Sequence, residues 1–169
     1  MATTRIFRVL HQKYADEPFS GKGGLYASSR WTSRGQLVAY AAESLALATL
    51  EKIAGVGTLN RLSEMVYVTA DLREEDVRSR SKSELPDGWD RRPPGAASRE
   101  VGNRWLRKNE SVALRVPSVT LPDGSNYVLN PTHPRFADAM TIHAPSPLEL
   151  DPRVMDRLRS EEEQSSENE

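Results

Sequence analysis

The chain has 169 residues, one domain's worth and enough to bury a single sizeable core. Lys and Arg number 23 against 24 Asp and Glu, a net charge of −1, which excludes the overall basic field of a nucleic-acid-coating protein and leaves only a local basic patch open. With no cysteine, the chain can build neither a disulfide framework nor a thiol-ligated zinc site, which suits a cytoplasmic protein.

The opening residues MATTRIFRVLHQ contain no apolar segment of signal-peptide length, and nowhere does an apolar run reach the roughly 18 residues of a membrane span. A soluble, cytoplasmic chain without membrane contact is expected. Residues 4–11 read as a short strand of β-branched and aromatic residues, with Arg8 in its middle. A mid-strand Arg ordinarily points to solvent. Residues 15–24, ADEPFSGKGG, form a polar loop with glycines at 21, 23 and 24. Such a loop can cradle a diphosphate with its N–H groups, yet the P-loop pattern is missing and a plain connection explains it as well. Tyr26, just beyond, can stack on a ring or simply pack.

The stretch 24–51, GLYASSRWTSRGQLVAYAAESLALATLE, sets Arg30, Tyr40 and Glu51 around a strand and a helix. An Arg pairs with phosphate oxygens, a Tyr offers a flat face with a polar tip, and a buried carboxylate holds developing positive charge. Together they suit a nucleotide site, although any half-buried strand and helix can carry one residue of each type. The strand covers residues 35–42 and the helix runs from Ser44 as N-cap to Ala54, with Gly55 as C′ residue. Its Ala/Leu composition predicts burial on most sides.

Residues 64–72 alternate as a strand, and 73–99 form a long charged excursion with three prolines and a Pro-Asp-Gly turn at 86–88. Its Arg78, Arg80 and Lys82 offer an acidic partner a contact or form a solvated face. A short helix at 100–108 turns Val101, Trp105 and Leu106 inward. A strand at 111–121, a turn at 122–125 and a strand at 126–130 make a hairpin. Pro117 lacks a ladder donor and marks an edge or bulge, which can aim Ser118 at a ligand. His11, His133 and His143 have no metal-site spacing, so no metal is expected. The end, SEEEQSSENE from Ser160, has no apolar residue to repay ordering entropy, so residues 156–169 are expected to be a disordered acidic tail.

The run SRWTSRGQLVAYAAESLALATLE and the later run WLRKNESVALRVPSVTLPDGSNYVLNPTHP resemble, in order and separation, the two blocks of the RES domain. RES domains are the toxin halves of bacterial RES-Xre toxin–antitoxin pairs. The resemblance covers roughly residues 5–145 and implies a RES domain at 1–155. The implied fold is a single α+β domain similar to the diphtheria-toxin-like ADP-ribosyltransferases. The implied activity is growth arrest by degrading NAD, a substrate rather than a cofactor, through hydrolysis or phosphorolysis of the nicotinamide–ribose bond. Expelling neutral nicotinamide needs no general acid; the demand is to stabilise an oxocarbenium-like ribose.

By the same resemblance Glu51 is the catalytic acidic residue, and Arg8 and Arg30 hold the diphosphate or an attacking phosphate. Tyr40 and Tyr26 pack the nicotinamide, and Ser118, rather than Ser111 or Ser44, positions the ribose or Glu51. The family match for Asn126 and Asn130 is explained equally by a role in fixing the hairpin. The implied partner is an Xre-type helix-turn-helix antitoxin, which would carry any DNA contact, with a homodimer of the toxin inside the complex. Two other readings stay open: a protein ADP-ribosyltransferase, and a non-catalytic partner-binding module in which Arg30 and Glu51 are an internal ion pair.

Overall fold

Residues Thr3–His11 form β1, the spine of the sheet in the computed structural model, which describes residues 1–55 and 59–167. Alternation along β1 feeds two cores: Ile6 and Leu10 pack into one apolar cluster, Val9 and Phe7 into another. Along its full length, from Thr3 opposite Arg73 to His11 opposite Met65, β1 pairs antiparallel with β3 (Met65–Arg73). The remaining strands are β2 (Ala39–Ala42), β4 (Val77–Ser79), β5 (Ala113–Pro117), β6 (Ser125–Leu129), β7 (Met140–Ile142) and β8 (Ser146–Pro147). The sheet runs β4-β5-β6-β2-β1-β3-β7, with β8 also on β3; every pair is antiparallel except β4–β5.

One seam in this sheet is weak. β1 meets β2 at the single pair Phe7–Ala42, whereas β2 pairs with β6 at four successive positions from Ala39–Leu129 to Ala42–Asn126. The sheet therefore opens between β1 and β2.

Helix α1 (Leu45–Gly55) follows β2 directly, and Ser44 caps it as expected, its Oγ accepting from Leu47 N at 3.1 Å. Burial on most sides is corrected: Leu47, Ala48 and Thr49 are buried, but Ala46, Leu50 and Ala54 are exposed. Leu45, Leu47, Ala48 and Ile53 pack into the cluster that also holds Met155 and Leu158, while the opposite side of the helix is open to solvent at Ala46, Leu50 and Ala54. Gly55 is its last residue rather than the one after it, and residues 56–58 lie outside the described residues.

Helix α2 (Ala96–Lys108) starts earlier than expected and ends on Asn109, whose φ of 51° and N–H bond to Trp105 O at 3.1 Å close it in a left-handed cap. Trp105, Val101 and Leu106 do turn inward, against Trp31, Val38, Leu114, Val116 and Val128. Gly102 makes that approach possible, since a Cβ there would lie 1.8 Å from Trp31 O. The hairpin appears as β5 and β6, shorter than expected at β5. Because β4 covers β5 only from Ala113 to Arg115, Pro117 sits where β5 is an edge and its missing donor costs nothing.

Helix α3 is the single turn Phe136–Ala139, and α4 spans Pro152–Glu167. α4 corrects the tail, which is helical where disorder is expected, and it begins ahead of the 155/156 boundary. Asp151 accepts from Arg153 N at 2.8 Å, Pro152 suits a first helical turn, and Met155 and Leu158 pack against the cluster under α1. Those two anchors lie upstream of the acidic run, which continues the helix on its own backbone bonds. Among the described residues no helix is long and apolar enough to cross a membrane. The architecture is the single α+β domain expected.

Gly102→Ala pushes a methyl group into a backbone carbonyl that cannot rotate away. The expected result is a loss of about 1–3 kcal/mol in urea denaturation, with the α2–Trp31 contact displaced. An unchanged midpoint contradicts this packing.

Candidate active site

Where β1 and β2 part, a cavity of about 400 Å³ opens, within the size range of small-molecule sites. Phe7, Arg8 and Val9 of β1 and Tyr40, Ala41 and Ala42 of β2 line it, with Ala48, Glu51 and Lys52 of α1. The loop residues Ser29, Arg30 and Trp31, and Pro117, Val119 and Asn126 of the hairpin, complete the wall.

Glu51 is the cavity's carboxylate and is fully engaged by neutral donors. Its Oε1 accepts from Ser118 Oγ at 2.8 Å and Asn126 Nδ2 at 2.6 Å, and its Oε2 accepts from Thr120 Oγ1 at 3.0 Å. The hairpin loop builds this cradle. Ser118 N donates to Gly124 O at 2.8 Å, and Ser118 Oγ accepts from Thr120 N at 3.0 Å and Leu121 N at 3.2 Å. With those two acceptor positions filled, the hydroxyl proton has one direction to go, onto Glu51. Ser44 caps α1 and Ser111 is bonded to Trp105 Nε1 at 2.8 Å, so neither reaches the carboxylate.

Arg8 spans the seam, its Nη1 donating to Tyr40 O at 2.7 Å, and its buried Nε has no partner among the described residues. Burial pushes its guanidinium down to about 10, only partly opposed by Tyr40. The Tyr40 hydroxyl is fixed by the Ser29 and Thr32 hydroxyls, the latter at 2.5 Å. Burial raises its pKa against the opposing pull of those two bonds and of Arg8. Arg30 Nη1 donates to the carbonyls of Trp89 and Arg91, both at 2.9 Å. Its pKa is lowered by burial first and by Arg92 second, with Glu51 and Asp90 pulling the other way. Lys52 is lowered too, by burial and then by Arg8.

The structure thus brings Arg8, Arg30, Tyr40 and Glu51 around one cavity, with Ser118 directly behind Glu51. Arg30 and Glu51 do not form the internal ion pair that a non-catalytic module would use; each is bonded elsewhere. Tyr26 is not among the lining residues and is 79% exposed. Its displacement follows from the glycines before it, which serve packing: a Cβ on Gly24 would lie 2.2 Å from Gln36 O, and one on Gly21 would lie 2.7 Å from Val38 N. The short turn Lys22–Leu25, locked against that segment, leaves Tyr26 facing outward.

Sequence reasoning missed Thr120 and Lys52 and left Asn126 divided between two roles. The signal for Thr120 is its place two residues after Ser118, whose Oγ accepts from Thr120 N in an ST-turn; nothing in the sequence tells Lys52 from a surface lysine. The 73–99 excursion reaches the site through its Leu-Pro-Asp-Gly-Trp segment. Trp89 stacks on Trp31 at 5.9 Å between centroids, and the carbonyls of Trp89 and Arg91 clamp Arg30. His11 and His143 lie outside the lining, bonded to Glu64 at 2.6 Å and Asp71 at 2.8 Å. No group of three or more His, Cys, Asp or Glu able to hold a metal ion occurs among the described residues.

Residues 5–151 match the RES domain. The chain is 27% identical over 149 residues to "Toxin Res" of Yersinia enterocolitica, covering 88% of this chain and 98% of that toxin. It is 36% identical over 131 residues to "Toxin Res" of Pseudomonas putida, covering 75% and 85%. It is also 32% identical over 147 residues to the "Prs ADP-ribosylating toxin" of a Sphingobium strain, covering 84% and 89%. In fold it is similar to a chain of the M. tuberculosis MbcT–MbcA toxin–antitoxin complex, with a TM-score of 0.64 at 14% identity over 94% of this chain and 90% of that one.

Ser118→Ala leaves the N–H groups of Thr120 and Leu121 without their acceptor and removes one donor from Glu51. The expected cost is about 1–3 kcal/mol in chemical denaturation. A loss below about 0.5 kcal/mol contradicts the cradle.

Proposed function

This chain belongs to the RES domain family, and from that premise we propose that it is the toxin of a toxin–antitoxin pair and acts by breaking the nicotinamide–ribose bond of NAD. The observation that carries the reading is Glu51, a carboxylate held on the cavity wall by Ser118, Thr120 and Asn126 with no cation paired to it among the described residues. Those neutral donors fix its orientation without cancelling its charge, the condition for an anion that must meet a ribosyl cation as it forms.

The other parts follow from the chemistry of NAD. Among the described residues Arg8 and Arg30 line the same cavity without a carboxylate within ion-pair distance and would take the diphosphate oxygens, Arg8 through its unpartnered Nε. Lys52 adds a third cation at that end of α1. Tyr40, its hydroxyl tied to Ser29 and Thr32, offers a rigid ring for the nicotinamide. As the C1′–N1 bond lengthens, its electron pair leaves with the ring nitrogen, which becomes neutral. Positive charge passes to C1′ and O4′ beside Glu51. Water then adds to C1′ and gives up a proton to solvent, yielding ADP-ribose, or a phosphate oxygen adds there, yielding the 1″-phosphate. NAD is the substrate throughout, and the chemistry calls for no resident cofactor.

A second reading, transfer of ADP-ribose to a protein, has one observation in its favour: the Sphingobium relative carries the name of an ADP-ribosylating toxin. The same bond breaks in both and only the acceptor differs. Restraint of such an activity calls for an antitoxin over the cavity. We assign that role to an Xre-type helix-turn-helix protein in the cytoplasm, with the toxin as a homodimer in the complex and any DNA contact made by the partner.

Purified protein incubated with NAD is expected to release nicotinamide, followed by chromatography with and without phosphate. Glu51→Gln should lower kcat/KM by about 10²–10³ with the fold retained by circular dichroism. Release that requires phosphate identifies phosphorolysis; label appearing on a macromolecule identifies transfer. A fully active Glu51→Gln variant sinks the assignment of Glu51.

A further inference from the structure

Asn126 carries a buried polar atom that the fold does not use. Its Nδ2 donates to Glu51 Oε1 at 2.6 Å, while its Oδ1 is buried and has no hydrogen-bond partner among the described groups. The carboxylate settles which end of the amide is which. Glu51 already takes donors on both oxygens, and the opposite orientation would set the amide oxygen against a carboxylate oxygen, two acceptors with no proton between them. The atom left over is therefore an acceptor, and Asn126 is one of the residues that line the cavity.

A buried acceptor without a partner costs roughly 1–3 kcal/mol, and the backbone gives Asn126 no reason to bear that cost. Asn126 pairs with Ala42 on one side and with Val116 on the other, so β6 is held by its ladder whatever the side chain. Fixing the hairpin does not account for the free Oδ1. A ligand that brings a donor does.

On the reading that Glu51 faces the anomeric carbon of NAD, the donor can be named. Nδ2 and Oδ1 belong to one rigid amide, so the group that meets Oδ1 lies beside the group that meets Glu51. On a ribose the hydroxyl next to C1′ is the one on C2′. We infer that Asn126 Oδ1 accepts a hydrogen bond from the 2′-hydroxyl of the nicotinamide ribose, so that one amide orients both the carboxylate and the sugar. The enzyme then discriminates ribosyl from 2′-deoxyribosyl substrates at this position. Asn126 touches the substrate as well as Glu51, whereas Ser118 and Thr120 act only through Glu51.

The test is a cycle of protein variant against substrate. Wild type and Asn126→Ala are assayed on NAD and on its analogues lacking the 2′-hydroxyl or the 3′-hydroxyl of the nicotinamide ribose, and on the nicotinic acid dinucleotide, which lacks the carboxamide N–H₂. Dividing the kcat/KM ratios cancels the intrinsic lability of each analogue. It also cancels any structural damage from the substitution, which would slow all four substrates by the same factor. Losing the 2′-hydroxyl is expected to cost wild type about tenfold more than it costs Asn126→Ala, while the other two analogues show no such difference. If the alanine variant does not fold, Asn126→Ser takes its place, since its side chain is too short to span from β6 to both Glu51 and the sugar.

A cycle that is additive for all four substrates overturns the inference. Coupling that appears only with the 3′-hydroxyl or the carboxamide overturns the assignment to the 2′-hydroxyl. Absence of NAD turnover by folded wild type fails the functional reading itself, and the inference with it; turnover with an additive cycle fails the inference alone.

Discussion

The site depends on a sheet that does not quite close. β1 is bonded along its whole length to β3, and β2 along its whole length to β6, but the two halves touch at one residue pair, Phe7–Ala42. A seam of that kind would leave backbone groups unpaired in the middle of a domain, which is costly. Arg8 meets part of that cost by donating to Tyr40 O across the gap. The same seam is where the cavity opens, so the residue that bridges the two halves also lines the cavity. Closing the ladder would remove both the need for Arg8 and the space in front of Glu51.

A second constraint is the origin of the donors on Glu51. All three come from 118–126, the loop and returning strand of one hairpin, while Glu51 itself comes from α1. The hairpin is a local structure, set by a turn in which Gly124 N donates to Leu121 O. Its docking onto α1, through Leu47 beside Gly124, brings the three donors to the carboxylate together. Orientation of Glu51 is therefore coupled to a cooperative packing event rather than to one side chain. The 85–92 segment plays the matching part for Arg30, using carbonyl groups that orient the guanidinium without neutralising it.

How much of this the sequence displayed follows from the range of each interaction. Strands β1 and β3, the cap at Ser44 and the hairpin with its Pro117 edge are local patterns and were readable. Arg8, Arg30, Tyr40, Glu51 and Ser118 are each ordinary in their own neighbourhood, and because the contacts that gather them span tens of residues, their meeting around one cavity shows only in the fold. Tyr26 went astray because two packing glycines look the same in sequence as glycines that cradle a ligand. The tail reads as disordered because the composition from Ser160 onward has no apolar residue, whereas Met155 and Leu158, just upstream, anchor the helix that carries the acidic run. Burial of α1 was overstated because an apolar sequence states what could be covered, not what lies next to it.

The electrostatics of the cavity argue for an anionic occupant independently of any relative. Arg8, Arg30 and Lys52 face it, and all three have their pKa values lowered, by burial in each case before any neighbour. Glu51 pulls against the lowering of Arg30 but forms no ion pair with it among the described residues, since its oxygens are taken by hydroxyl and amide donors, and the carbonyl oxygens that Arg8 and Arg30 contact carry no full charge. Three cations partly stripped of water around the single lining carboxylate Glu51 are a standing cost to the folded chain. A diphosphate would repay that cost, and so would the acidic side chains of a protein lying over the cavity mouth. The same unbalanced charge can therefore serve substrate capture and partner capture, and the two would compete for it.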